Sequence, residues 1–432
     1  MNRLMIGGAL LLTAAFTQGF AQETPLPEIT VHSNYAVNTG TNTNMNADHW
    51  QDGHTTARDR DDDAARTRTI SKTFPADRSD KIVLSNMYGS MTIKTWDRKE
   101  VKIDITIKAF SNSEKEAQNL IDQVDINADK TGDIISCKTK IEDGRSLWTN
   151  GNRRREIKVG YVVYLPASNS LNLSQQFGNV NMGDFSGPLN AKVQYGDFNA
   201  GSLSDLNNYV SVQYGKTNIQ ELNKATIKQQ YGSGLTIGSV GTLDLNAQYA
   251  AVDITAIRGD ATIKQQYGSG LKIGSVNNLD LDVQYATVNV GTVKGNAMVK
   301  QQYNALTLGS VGRLNLRSQY TGVTIGTLKG DGNLKMSYNH FTVSEINPGC
   351  KRLVVDADYV NITLGFTASF NGDFSLQKSY GNFRYDNNTR VTSQGDDDDN
   401  RHSSTKHYTG KIGNGGSSTV QIDASYGNVS FK

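Results

Sequence analysis

Ala225-Thr-Ile-Lys-Gln-Gln-Tyr-Gly232 is followed by Ala261-Thr-Ile-Lys-Gln-Gln-Tyr-Gly268 and then by Ala297-Met-Val-Lys-Gln-Gln-Tyr303. Between these copies stand Leu243-Asp-Leu-Asn-Ala-Gln-Tyr249, Leu279-Asp-Leu-Asp-Val-Gln-Tyr285 and Leu314-Asn-Leu-Arg-Ser-Gln-Tyr320. Tyr231, Tyr249, Tyr267, Tyr285 and Tyr303 are each 18 residues apart. The register extends to Phe177, Tyr195 and Tyr214 on one side, and to Tyr320, Tyr338, Tyr359 and Tyr380 on the other. A short fixed period in a strand-forming sequence specifies a solenoid. The fold class is therefore all-β: a parallel β-solenoid (β-helix) of 18-residue units over Leu171–Phe383.

Each unit holds two short strands. Leu243, Leu245, Ala247 and Tyr249 share one face of the first, and Asp244, Asn246 and Gln248 share the other. Alternation at period two marks a strand with one buried face. After a turn of small residues comes a second strand, such as Val252-Asp-Ile254 or Leu235-Thr-Ile237. Stacked coils place equivalent residues about 4.8 Å apart, so the tyrosines form a column and the residues before them form another. In-register parallel stacking favours aromatic columns and amide ladders. By parity, Tyr231, Tyr249, Tyr267, Tyr285, Tyr303 and Tyr320 face inward or sit at the corner, as a structural ladder. Gln230, Gln248, Gln266, Gln284, Gln302 and Gln319 face water and form the candidate binding face. Should the strand phase be inverted, the tyrosines line the outer surface as an aromatic glycan-binding strip.

A coil could hold one unit or two. Gln229, Gln265 and Gln301 fall on the apolar face, where Ala247 and Val283 stand in the intervening units. In a 36-residue coil these glutamines stack and satisfy one another. In an 18-residue coil each faces Ala or Val, and an unpaired buried amide costs about 1–3 kcal/mol. A two-unit coil stacks Lys228, Lys264 and Lys300 as like charges, but exposed charge pairs are usually worth under about 1 kcal/mol. An unpaired buried amide costs more than an exposed lysine pair, which favours two units per coil.

The flanks divide further. Met1–Ala21 has Arg3, an apolar run over Leu4–Phe16 and a small-residue site at Gly19-Phe-Ala21, the pattern of a secretory signal peptide. The run is too short to span a bilayer, and no other segment could span as a helix. Export to the periplasm, the outer-membrane surface or the exterior follows. Residues 22–68 are polar and read as a disordered linker; His49, Asp52 and His54 there do not match metal-ligand spacing. Residues 69–166 read as an α+β cap module, with strands at Lys81–Leu84, Met91–Lys94, Val101–Ile107, Ile134–Ile141 and Ile157–Leu165. A capping box at Ser113-Glu-Lys-Glu116 opens a helix to about Val124. Arg153–Arg155 lie in a loop. The solenoid domain, 167–432, carries a disordered insertion at 386–417 that includes Asp396–Asp399, and Val420–Phe431 reads as the last rung. Cys137 and Cys350, the two cysteines, lie too far apart in the stack to pair.

At Met87-Tyr-Gly-Ser-Met-Thr-Ile-Lys-Thr-Trp-Asp97, Gln176-Phe-Gly-Asn-Val180 and the later Tyr-Gly rungs, the chain resembles the bacterial putative-adhesin family. The resemblance spans Thr69–Lys432 and implies an exported, Tyr- and Gly-punctuated β-helix, common in Bacteroidetes; no catalytic residue is carried over.

The chemistry-bearing residues are consistent with that. Net charge is +2, which gives no reason to expect nucleic acid as a partner. Acids in the repeats are scattered, His340 stands without a partner carboxylate, and no nucleophile, metalloprotease or phosphate-loop motif occurs. The expectation is a non-enzymatic envelope protein without cofactor or metal, adhesin-like, docking a glycan or cell-surface protein on its flat face. A structural envelope protein without a ligand, and a polysaccharide-active β-helix enzyme, are the alternatives. The sequence leaves the oligomeric state open.

Overall fold

The computed structural model describes residues 64–142, 155–396 and 405–432. The leader, His49, Asp52, His54, Arg153–Arg154 and Asp397–Asp399 lie outside the described residues. The described chain is a parallel β-solenoid of about 11 turns with 18-residue spacing. Ala225 pairs with Leu243, Leu243 with Ala261, Ala261 with Leu279, Leu279 with Ala297 and Ala297 with Leu314. One unit is therefore one rung, and the expected 36-residue coil is wrong. The alternating positions Leu243, Leu245 and Ala247 point into one continuous apolar core, which the second strand of each rung closes from the other side with residues such as Val252, Ile254 and Ile257.

The buried amides donate to the backbone rather than to each other, while Gln229 Oε1 accepts from the Thr217 hydroxyl and the Oε1 atoms of Gln265 and Gln301 have no protein partner among the described residues. Gln175 Nε2 donates to the Gly89 carbonyl, Gln229 to Gly215, Gln265 to Ala250 and Gln301 to Ala286. Each acceptor is the residue after the aromatic turn of the preceding rung. The turn directs that carbonyl inward, away from the sheet ladder, and a buried carbonyl needs a donor. Gln265 also reaches Gly270 and Gln301 reaches Ala305, so one amide closes both ends of a turn. The glutamines need no glutamine above or below them.

The N-terminal cap comprises β1 (Ala64–Pro75), β2 (Lys81–Met87), β3 (Met91–Trp96), β4 (Glu100–Ser111), α1 (Glu114–Asp122), β5 (Val124–Thr131), β6 (Ile134–Ile141) and β7 (Arg155–Pro166). Ser113 caps α1, its side chain accepting from the Glu116 N–H. β2 and β3 are themselves a rung: β2 pairs in parallel with Ser170–Gln176, and β3 with Val180–Met182. The boundary of the solenoid therefore falls inside the module read as a cap. Antiparallel β1, β4 and β7 extend one sheet, and the β5–β6 hairpin extends the other. The linker boundary also moves, since β1 begins at Ala64.

At the far end two expectations are corrected. Much of 386–417 is an antiparallel hairpin of Thr389–Asp396 and Thr405–Ile412 that covers strand Gly372–Ser379. Its polar sequence folds because the other hairpin partner is a solenoid strand rather than a core. Thr419–Ser425 is not the last rung: it lies between Arg352–Asp358 and Gly372–Ser379, parallel to both. Val429–Phe431 likewise enters between Ile362–Leu364 and Phe383–Arg384. Phe431 packs edge-on against Phe366, Phe374 and Phe383, with centroids 5.0–5.4 Å apart. Cys137 and Cys350 are both free and buried.

Two substitutions test how the rungs are held. Gln265→Leu keeps the volume but strands the Ala250 carbonyl, whereas Gly270 keeps the Val252 N–H, and it should destabilise by about 1–3 kcal/mol in chemical denaturation. A Cβ on Gly178 would stand 1.7 Å from the Gly89 carbonyl oxygen, whereas one on Gly183 meets nothing within 4 Å. Gly178→Ala should then cost about 1–3 kcal/mol and Gly183→Ala under about 0.5 kcal/mol. Equal effects at the two glycines would contradict the close rung-to-rung approach.

Candidate functional site

The outward side of the first strand carries three columns, and the turn adds a fourth. The tyrosine turn fixes their geometry. Every aromatic residue of the column has a positive φ, between 50° and 66°. That left-handed conformation interrupts the alternation after Gln248, so the next side chain does not return to the core. Tyr249 and Tyr267 are 49% exposed, and from Phe177 onward the column ranges from 37% to 52%. The inward placement by parity is thus overturned, while the corner position and the stacking are as expected. The backbone stays in the ladder: the Tyr231 N–H donates to the Gln248 carbonyl, and its counterparts do the same.

The rings run in one unbroken column from Tyr88 through Phe177, Tyr195, Tyr214, Tyr231, Tyr249, Tyr267, Tyr285, Tyr303, Tyr320, Tyr338 and Tyr359 to Tyr426 and Tyr380. Successive centroids are 4.4–5.4 Å apart with planes within 15° of parallel. The left-handed conformation costs a bulky residue about 1–2 kcal/mol. Stacking on two neighbours, at about 0.5–1.5 kcal/mol per pair, offsets it. Stacking also decides what the column can bind. Both faces of every interior ring are covered by the rungs above and below, so only ring edges and phenol groups meet water. A sugar stacks on a ring face, and the interior rings leave none free. An aromatic strip that grips a glycan along its length is therefore not formed. Tyr88 and Tyr426 belong to the column although the spacing did not place them there; the local signals were Met87-Tyr-Gly89 and Ser425-Tyr-Gly427.

The glutamine column is likewise engaged with itself. Nε2 of Gln176 donates to Gln194 Oε1, and the pattern continues through Gln213, Gln230, Gln248, Gln266 and Gln284 at 2.7–3.4 Å. These half-buried amides brace the sheet. The ladder stops there among the described residues, and Gln302 and Gln319 lie exposed. The next column outward carries charge. Ser211, Lys228, Asn246, Lys264, Asp282, Lys300, Arg317, Lys335 and Asp356 are successive neighbours on it. His340 is exposed, with Nδ1 2.8 Å from Asn339 Oδ1, and has no carboxylate beside it.

Groups with strongly raised pKa values are enclosed and serve packing. Burial pushes the Tyr161 phenol well above its ordinary range; it lies 2.9 Å from the Thr139 hydroxyl and 3.5 Å from Cys137 Sγ. Burial pushes the Cys350 thiol up to about 12. No group of three or more His, Cys, Asp or Glu positioned for a metal occurs among the described residues.

No protein-family model matches the chain, and no curated protein matches it. Solved structures with similar architecture include a putative cell adhesion protein from Clostridium sporogenes, 11% identical over 85% of this chain and 99% of that one, TM-score 0.18. A putative adhesin from Parabacteroides merdae is 10% identical over 84% and 96%, TM-score 0.19. A putative lipid binding protein from Parabacteroides distasonis is 11% identical over 85% and 97%, TM-score 0.20. Similarity at this level says nothing about what this chain binds.

The exposed, stacked ring alters the expected cost of mutating it. Tyr267→Phe should leave the melting temperature almost unchanged. Tyr267→Ala loses two stacks and keeps the left-handed backbone, for about 1–3 kcal/mol. Tyr267→Gly should lose less than the alanine variant, because glycine adopts positive φ freely. An alanine variant as stable as wild type would show that the column contributes nothing. Alkaline melts give a second measure. The Tyr285 phenol is raised from its ordinary value first by its hydrogen bond with Tyr303, and Tyr359 first by desolvation. A raised phenol pKa in the fold means stability is intact below the unfolded value near 10 and falls as pH rises above it. Tyr303→Phe should flatten that fall.

Proposed function

We propose that the chain is an exported, non-enzymatic, adhesin-like binding module of the cell envelope that docks a glycan or a surface protein on the outward side of the first strand of its rungs. One observation carries the reading. The six-residue strand recurs in register rung after rung, so its outward side chains stand at a fixed pitch on a rigid plane. Extended solenoid faces of this kind suit extended ligands. The plane is braced along one edge by the amide ladder and the adjoining ring column, so little order is lost there on binding. The leader-like Met1–Ala21 supports export, and no helix among the described residues is long and apolar enough to cross a membrane.

Fractionation and protease shaving of whole cells, with the purified chain applied to cells and to a glycan panel, test the reading. Accessible protein that binds cells or a defined glycan is the expected result. Protein that captures nothing, with an envelope defect on deletion, would favour a purely structural role. Retention in the cytoplasm would end the proposal.

A further inference from the structure

Along the charged column the lysines are first kept apart. Lys228 has Ser211 and Asn246 as neighbours, and Lys264 has Asn246 and Asp282. The spacing then fails. Lys300 pairs with Arg317, and Arg317 with Lys335, on three successive rungs. Adjacent strands are about 4.8 Å apart, and like charges directly opposite in a sheet are destabilising. All three side chains are exposed. Carboxylates stand only at the two ends of the run: Asp282 is the neighbour of Lys300, and Asp356 lies 2.8 Å from Lys335 Nζ, while Arg317 has a cation on each side. Arg317 opposes that pairing by lowering the Lys335 pKa that Asp356 raises.

Three further features converge on the same rungs. The amide ladder, continuous from Gln176 to Gln284, is interrupted here, so Gln302 and Gln319 present their amides to solvent beside Lys300 and Arg317. On the other side of the column an open groove of about 430 Å³ is lined by Met298, Asn315 and Asn333, with Arg313 and Arg352 at its rim. Met298 is 52% exposed. Asp331, also at the rim, turns its Oδ1 to the backbone N–H groups of Lys351 and Arg352. Five cations thus face outward against Asp282, Asp331 and Asp356, with Asp280 and Asp358 further out on the bounding rungs.

We propose that Lys300, Arg317 and Lys335, with the flanking amides of Gln302, Gln319, Asn315 and Asn333, form a binding site for an extended carboxylated polysaccharide of the uronic-acid class, lying across the rungs. This deepens the adhesin-like reading and rests on it. A line of cations along the solenoid axis, one per rung, matches a linear polyanion with a charge on each sugar. Amides on both sides supply donors and acceptors for hydroxyls, and Met298 offers an apolar contact for the C–H side of a ring. Arg317, central in the run, has the fork that grips a carboxylate through two bonds. A nucleic acid fits less well: the covered tyrosine faces give its bases no platform, and acidic rungs bound the cationic run on both sides.

The test is affinity electrophoresis and titration calorimetry of the full chain with polygalacturonate, and with neutral dextran as control. Wild type should be retarded by polygalacturonate alone, and less so as salt is raised. The triple variant K300Q/R317Q/K335Q should weaken binding by about tenfold, the loss of three exposed ion pairs worth about 0.5 kcal/mol each. The variant K228Q/K264Q, which removes cations from the same column outside the cluster, should change binding by less than about twofold. Removing stacked like charges should also leave the melting temperature unchanged or higher. Failure of wild type to bind polygalacturonate overturns the proposal, as does equal loss in both variants, equal retardation by dextran, or a lowered melting temperature in the triple variant. Binding to heparin but not polygalacturonate overturns the carboxylate assignment. A triple variant that still adheres to cells as wild type does removes this site and leaves the adhesin-like reading intact. Cell adhesion absent while polygalacturonate binding persists removes that reading and leaves the site.

Discussion

In a parallel, in-register stack, every residue meets its own counterpart in the rungs above and below at about 4.8 Å. All else in this protein follows from how each column tolerates that proximity. Apolar columns tolerate it best, and Leu243, Ala261 and Leu279 stack in the core without cost. Amides tolerate it by donating along the column, as Gln230, Gln248 and Gln266 do. Aromatic rings tolerate it by lying flat on one another. Charges tolerate it poorly, and over the regular repeats the column spaces them until Lys300, Arg317 and Lys335 fall on successive rungs.

The same constraint explains why two ladders that look like binding surfaces are largely closed to ligands. A group that satisfies its neighbour along the axis has little left to offer a partner across it. Rings stacked face to face present edges, and amides linked head to tail present few free donors. On this fold, capacity for recognition arises where a ladder is broken, not where it is most regular. That is why the rungs carrying Gln302 and Gln319, rather than the near-perfect repeats before them, hold the features a ligand could use.

Much of the architecture was legible because it is written as a period. The tyrosine spacing locates the rungs, and the alternation in Leu243–Gln248 locates the inward face. What escapes the sequence does so for physical causes. Parity cannot see a residue with positive φ, so it puts Tyr249 on the core side although the Tyr-Ala and Tyr-Gly pairs mark a turn. Side-chain pairing alone misleads at Gln265, because its partner is the Ala250 carbonyl, a group no sequence displays. Composition marks 386–417 as unstructured, and composition does not register that an existing sheet edge can organise a polar hairpin. Of the candidate site, the glutamine column was legible as outward-facing. Its internal hydrogen bonds, which compete with its use as a binding surface, depend on the rung register. The cationic cluster is visible only once one unit is known to be one rung, because a two-unit coil never brings Lys300 beside Arg317.

The insertion of Thr419–Ser425 and Val429–Phe431 between rungs earlier in sequence sets an order of events. Elsewhere the stack can grow in the direction of the chain, each coil settling on the one before. Gly372–Ser379 cannot settle on Arg352–Asp358 in that way, since a later strand must come to lie between them. That end remains open until residues past 430 are free to enter, and Phe431 then wedges among three phenylalanines. In folding, the pair of rungs at this end therefore closes by insertion rather than by growth, and strands distant in sequence become direct neighbours.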